Sequence, residues 1–210
     1  MSIPRIPSYD LPDASSFPSS KVNWAFHPER AVLLIHDVQD YFLEFYGPGS
    51  QLVRDLLQRI QGIRTSCKQQ GIPVIYTAQP INQTPEDRGL LNDMWGPGID
   101  NRQELQAIVT ALAPDQDDIV LTKWRYSAFQ RSSLQSMMQE MQRDQILICG
   151  IYGHIGCLMT AVDAFMRDIK PFVIGDAIAD FSMDEHMMAL RYVAGRCGRV
   201  IAARDLGWQA

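Results

Sequence analysis

Three reactive side chains in this sequence stand directly after apolar runs. Asp37 follows AVLLIH (31–36), Lys123 follows IVLT (119–122), and Cys157 lies in the turn after QILIC (145–149). A polar group that leaves a buried strand sits at the strand's end, half removed from water. There, loss of water favours the acid form of an aspartate, and a nearby cation favours its carboxylate. Asp37 therefore reads either as a loop or helix-capping residue or as a proton-transfer group. Asp40 shares its loop, one helical step further toward solvent. Lys123 reads either as a solvated lysine or as the partner of Asp37, which it would meet if the first and third strands were neighbours. Lysines are seldom fully buried without such a partner.

Cys157 invites a nucleophile hypothesis, because a thiolate needs a helix N-terminus and a base. The stretch QILICGIYGHIGCLMTAVDAFM (145–166) supplies a helix with Leu158, Ala161, Val162 and Phe165 on one face. Against that, a buried cysteine in a small-residue turn is ordinarily inert packing. Gly156, one position earlier, is an alternative point at which the turn faces a cleft. His36 and His154 are candidate imidazole bases or ligands, whereas His27 and His186 read as surface residues. No G-x-S-x-G elbow is present, which weakens a Ser–His triad. The loop after the second strand offers Gln79 and Pro80 but no histidine. Cys67, Cys149, Cys157 and Cys197 form no CxxC pair and no metal-ligand spacing, so no metal site is expected.

The elements that must position these groups alternate. Strands are expected at 31–35, 74–77, 119–122, 146–149, 172–174 and 199–202. Helices are expected at 51–69, 105–112, 133–141, after Gly156, and at 184–195, with Ser182 and Asp184 competing as the last one's N-cap. This order predicts an α/β fold: a three-layer sandwich with a mostly parallel central sheet and helices on both faces. In such a sheet ligands collect at the carboxyl edge of the strands. Phe42, Gln79, Arg88, Trp95, Tyr126 and Tyr152 all fall in loops at that edge. Arginine binds carboxylates through two parallel hydrogen bonds, and aromatic rings make flat apolar walls.

Residues 1–23 carry Pro4, Pro7, Pro12 and Pro18, which rule out a helix or central strand. Ile3, Ile6, Leu11 and Val22 make an extended arm over the domain the favoured reading. No linker or repeat divides the 210 residues, so one domain spanning 1–210 is expected. The net charge of −5 argues against a general nucleic-acid binder. No signal-like N-terminus or membrane-spanning apolar run appears, and unpaired cysteines fit a reducing compartment. A cytoplasmic protein is expected.

Several segments together resemble the isochorismatase family: LLIHDVQDYF (33–42), YTAQP (76–80), LLNDMWGPG (90–98), LTKWRYSAF (121–129), GIYGHIGCLMTAVDAFMRDIKPF (150–172) and DAIADFS (176–182). The similarity runs from about residue 3 to 203. It is similar to the isochorismatase domain of enterobactin-type siderophore proteins and to the stand-alone phenazine-pathway enzymes. The wider superfamily includes nicotinamidases and N-carbamoylsarcosine amidase, which use an Asp–Lys–Cys triad. Carried onto this chain, the Asp falls on Asp37 and the Lys on Lys123, but the Cys position falls on Gly156. Position 153 is Gly where the family suggests Ala, a minor departure.

The resemblance implies hydrolysis of the vinyl ether of isochorismate to pyruvate and 2,3-dihydro-2,3-dihydroxybenzoate, in siderophore-type biosynthesis. The alternative is the same reaction on 2-amino-2-deoxyisochorismate in a phenazine-type pathway. Asp37 would protonate the enol methylene carbon and Lys123 would orient it. Gln79, Arg88 and Tyr152 would hold the carboxylate groups or ether oxygen, and the Gly156 N–H a carboxylate. Trp95, Tyr126 and Phe42 would wall the ring. The resemblance further implies a homodimer, other enzymes of the pathway as partners, and no metal or cofactor. Enterobactin-type proteins carry a C-terminal aryl carrier domain. With the chain ending at Ala210, none is expected, which leaves a stand-alone enzyme or a separated domain. Two other classes compete: an amidase using Cys157, and a non-catalytic scaffold that docks biosynthetic partners.

Overall fold

The computed structural model describes residues 3–100 and 102–206. Its core is a six-stranded sheet: β1 Ala31–His36, β2 Val74–Ala78, β3 Ile119–Thr122, β4 Gln145–Ile151, β5 Lys170–Ala179 and β6 Arg199–Ile201. Every pairing is parallel, in the order β3-β2-β1-β4-β5-β6. The chain winds outward from β1 through β2 to β3, then returns to the other side of β1 with β4. The order therefore reverses between β1 and β4, and a crevice opens at their carboxyl ends.

Seven α-helices accompany the sheet among the described residues: α1 Asp40–Leu43, α2 Gln51–Gln69, α3 Pro85–Arg88, α4 Leu91–Trp95, α5 Leu134–Glu140, α6 Leu158–Phe165 and α7 Met183–Tyr192. Strand side chains alternate between two cores. Leu33, Ile35, Tyr76, Leu147 and Phe172 meet the apolar stripe of α2 (Leu52, Leu56, Ile60, Ile63, Cys67). Val32, Leu34, Ile75, Ile146 and Ile148 meet α5, α6 and α7 on the opposite face. Central strands covered on both sides must be apolar throughout, and β1 is buried at all six positions. Among the described residues, no helix is long and apolar enough to cross a membrane.

Several local expectations are corrected. The first and third strands are not neighbours, because β2 lies between them. Residues 105–112 are not one helix. Two short 3-10 turns, Gln103–Leu105 and Thr110–Leu112, flank a stretch that pairs with the loop after β1. There the Asp40 N–H donates to Ala107 O (3.0 Å) and the Val109 N–H to Val38 O (3.0 Å). These inter-segment bonds take the backbone groups a helix would have used. The strand expected at 172–174 runs on through Gly175-Asp176 to Ala179. Phe165 is 45% exposed, and Met166 beside it 69%. His186 is fully buried, not a surface residue. Ser182 is the N-cap of α7, accepting the Glu185 N–H at 3.2 Å.

Residues 3–30 run across the domain with little regular structure. Ile6 is buried, and Ile3, Tyr9, Leu11, Trp24 and Phe26 pack against the α2-side core.

Candidate active site

Asp37 directly follows β1 with φ of 50°, a left-handed conformation uncommon for a residue with a side chain. Its backbone N–H donates to Thr77 Oγ1 (3.1 Å), and the Thr77 hydroxyl donates back to Asp37 Oδ1 (2.6 Å). Lys123 Nζ donates to Asp37 Oδ2 at 2.6 Å. Although β2 separates their strands, the long lysine side chain reaches past it, and Thr77 at the end of β2 fills the gap. Both charged groups are buried. Such a pair persists because each partner compensates the other's loss of water.

His36 is fully buried beneath this pair, with Nδ1 3.5 Å from Asp37 Oδ2. Nδ1–H donates to Ile151 O (3.1 Å), leaving Nε2 to accept the Thr160 hydroxyl (3.2 Å). That tautomer is neutral, and burial lowers the imidazole pKa to about 4. The ring fills the space that a side chain at position 156 would need. An ideal Cβ on Gly156 would lie 2.2 Å from His36 Cε1 and 2.7 Å from Nδ1. The turn after β4, Gly153–Cys157, is a π-type turn in which the Cys157 N–H reaches back to Tyr152 O. Such turns recur at functional sites. Here it brings Gly156 to the pocket and turns Cys157 into the core. Cys157 is fully buried among apolar side chains, and burial pushes its thiol pKa well above the ordinary range. A thiolate nucleophile at Cys157 is not supported by this environment.

A pocket lies over these groups at the carboxyl edge of the sheet. All nine residues singled out from the sequence line it: Asp37, Phe42, Gln79, Arg88, Trp95, Lys123, Tyr126, Tyr152 and Gly156. Arg88 ends α3 and is buried, so burial lowers its pKa. Its Nε donates to Gly96 O, and Nη1 makes long bonds to Gln79 Oε1 (3.3 Å) and Gln83 Oε1 (3.4 Å). Among the described residues it makes no ion pair. A buried guanidinium with only neutral partners is a ready binding site for an anionic ligand. Gly98 gives it room, since a Cβ there would lie 2.6 Å from Arg88 Nη1.

Gln79 is fixed from behind by the fully buried Gln39. Gln39 Oε1 accepts the Gln79 N–H (2.7 Å), and Gln39 Nε2 donates to Gln79 O (3.0 Å) and Gln106 O (2.6 Å). The aromatic walls are also tied together. Trp95 Nε1 donates to the Tyr126 hydroxyl at 2.8 Å. Phe181 meets the Tyr152 ring edge-on at 4.8 Å and Trp95 at 6.1 Å. The Tyr152 hydroxyl donates to Phe42 O (2.7 Å), so its proton is already committed within the protein.

Sequence reasoning missed Ile3, Tyr41, Leu91, Arg125, Ile155 and Phe181 in the lining, and Thr77 behind it. Tyr41, Leu91, Arg125, Ile155 and Phe181 lie inside the family-like segments and were findable there. Ile3 carried no signal beyond being apolar. His154, proposed as a base, is not in the lining. Its Nδ1 and backbone N–H are both bound to Asp180 (2.5 Å each).

A family model described as the isochorismatase domain matches residues 31–205. Enterobactin synthase component B of Escherichia coli (strain K12) is 56% identical over 206 residues, 98% of this chain and 72% of that protein. The isochorismatase of Bacillus subtilis (strain 168) is 53% identical over 206 residues, 98% and 66% of the two chains. Phenazine biosynthesis protein PhzD1 of Pseudomonas aeruginosa is 46% identical over 205 residues, 97% and 98%. Among solved structures, a cysteine hydrolase from Pseudomonas syringae pv. phaseolicola 1448A superposes with a TM-score of 0.80 at 23% identity, covering 91% of this chain and 96% of that one. That last likeness concerns the fold alone. With the family model spanning the whole sheet, and relatives above half identity along nearly the full length, this chain belongs to the isochorismatase family.

Proposed function

We propose that this protein hydrolyses the enol-pyruvyl ether of isochorismate, releasing pyruvate and 2,3-dihydro-2,3-dihydroxybenzoate. The observation that carries this reading is the Asp37 carboxyl, held by Thr77 and Lys123 in a pocket whose lining at Gly156 has no side chain to act as nucleophile. Vinyl-ether hydrolysis needs an acid, not a nucleophile. The bound dianionic substrate offsets the charge of Lys123 and favours proton uptake at Asp37. Asp37 gives that proton to the enol methylene carbon, and the ether carbon becomes an oxocarbenium ion. Water adds to that carbon, and the hemiketal collapses to pyruvate and the ring alcohol. The proton released from water returns to Asp37. Lys123 stabilises the carboxylate left after the first transfer.

The substrate carries two carboxylates. Arg88, with its uncompensated charge, takes one, assisted by Gln79. The Gly156 N–H faces the other. Trp95, Tyr126 and Phe42 wall the ring and keep bulk water from the cation. Tyr152 serves mainly through its ring, because its hydroxyl would have to leave Phe42 O before donating to substrate. No step calls on a metal or cofactor.

The test is pyruvate release by purified protein, offered isochorismate and 2-amino-2-deoxyisochorismate separately. Asp37→Asn is expected to cost roughly 10²–10⁴-fold in turnover, the usual weight of a general acid. Faster turnover of the aminated substrate would favour a phenazine-type pathway, a reading supported by the near-complete overlap with PhzD1. No pyruvate from either substrate would overturn the proposal. Siderophore-type biosynthesis, with other pathway enzymes as partners, is the favoured context.

A homodimer and a cytoplasmic location belong to the same reading. The exposed Leu90, Met94 and Met166 line one largely apolar groove, which supports the dimer reading. Four buried free cysteines fit a reducing compartment. Met166→Asp is expected to convert the dimer to monomer in analytical ultracentrifugation. A monomeric wild type would remove the dimer from the proposal.

A further inference from the structure

The N-terminal arm carries a residue of the pocket itself. Ile3 lines the same space as Asp37, Trp95, Tyr152 and Phe181. Two anchors hold the chain behind it. The Ile6 N–H donates to Phe45 O at 2.8 Å, and the Ile6 side chain is buried at 2% exposure. Tyr9 is the second. Its hydroxyl accepts the Asp180 N–H (2.8 Å) and donates to His186 Nδ1 (2.9 Å). His186 Nε2–H in turn donates to Gly175 O (2.8 Å), which fixes the neutral tautomer that leaves Nδ1 free to accept. Asp180 directly precedes Phe181, the ring that packs on Tyr152 and Trp95. The arm is therefore fastened at the Phe42–Phe45 side of the pocket and at the end of β5, and Ile3 lies just beyond these fastenings.

We infer that the arm is a working wall of the active site. Ile3 closes the apolar side of the pocket over the substrate, and Tyr9 is the positioning residue that holds the arm and the Phe181 wall in register. This rests on the hydrolase reading above, because the ligand that Ile3 covers is the enol-pyruvyl substrate. An aliphatic side chain contributes by displacing water from the bound ring, so its loss weakens binding more than it slows the chemical step.

The test measures kcat and KM for pyruvate release in Ile3→Ala, Ile3→Asp and Tyr9→Phe, with thermal unfolding alongside. Ile3→Ala is expected to raise KM roughly 5- to 20-fold with kcat within about twofold of wild type, and Ile3→Asp to raise it further. Tyr9→Phe is expected to raise KM similarly and to speed tryptic cleavage after Arg5, with the rest of the chain intact. Unchanged KM in both Ile3 variants, with an active wild type, overturns the arm proposal and leaves the hydrolase reading standing. If the wild type releases no pyruvate, the hydrolase reading fails by itself. The arm is then judged by cleavage after Arg5, and an equal rate in wild type and Tyr9→Phe overturns its anchoring by Tyr9.

Discussion

Glycine at position 156 is imposed by its neighbour. His36 cannot withdraw from the space a Cβ would take, because both its ring nitrogens are bound and the ring is fully enclosed. Gly156→Ala is therefore expected to cost about 1–3 kcal/mol of stability, the usual cost of overpacking, read as a lowered urea midpoint. Thr77 acts on Asp37 from the other side. Thr77→Val keeps the shape but removes both bonds to Asp37, and is expected to lower kcat about 10- to 100-fold with little change in KM. An unchanged kcat would show that Lys123 alone suffices to aim the carboxyl. Asp37 and Lys123 were legible in the sequence because each breaks an apolar run with a charge. Thr77 lies inside the family-like segment YTAQP but was not legible from its chemistry, since a threonine in a β-branched strand looks like any other strand residue. The occupant of the space at position 156 was hidden for a different reason: His36 reaches it from the end of β1, distant in the chain but paired beside β4 in the sheet.

At the scale of elements, the alternation of strands and helices was readable from apolar runs and their periods. What escaped were the places where one segment borrows another's backbone groups. Residues 105–112 look helical in isolation, yet their middle pairs with the loop after β1, and Gln39 then grips Gln79 and Gln106 together. Gln39 thus joins the loops after β1 and β2 into one support for Gln79. Gln39→Leu would leave a half-buried N–H and two half-buried carbonyls without this partner, together costing about 1–3 kcal/mol. It is expected to raise KM for the substrate and lower the melting temperature together. Normal KM in a folded variant would mean that Gln79 is held without this clamp. The run of β5 past Gly175-Asp176 was equally unreadable, because glycine and aspartate are strand breakers by composition. Its pairing with β4 resumes beyond a register shift.

For the molecule as a whole, the buried histidines set the response to acid. Burial lowers the His36 pKa to about 4 and lowers that of His186, so the unfolded chain binds more protons than the folded one below about pH 6.5. Stability is expected to fall between pH 6.5 and 4, by about 3 kcal/mol from His36 alone. His154 has the opposite sign. Burial works against its charge, but Asp180 outweighs that and raises its pKa, so its contribution is whole in acid and fades as pH rises through the raised value. The Asp118 and Asp163 carboxyls, where hydrogen bonds from Lys68 and Ser127 outweigh burial, matter only below the window, as they begin to take up protons. Urea unfolding at pH 7 and pH 5 checks this, and a His36→Gln variant that keeps the full acid slope would assign it elsewhere. The strand order has another consequence, for the chain as it is made. β1 is central and buried at every position, but its second neighbour, β4, is synthesised more than a hundred residues later. Until the ribosome passes that point, β1 presents an open, greasy edge to other nascent chains. Stalled products ending near residue 144 are expected to sediment as aggregates unless a chaperone holds them, whereas the completed chain stays in the supernatant.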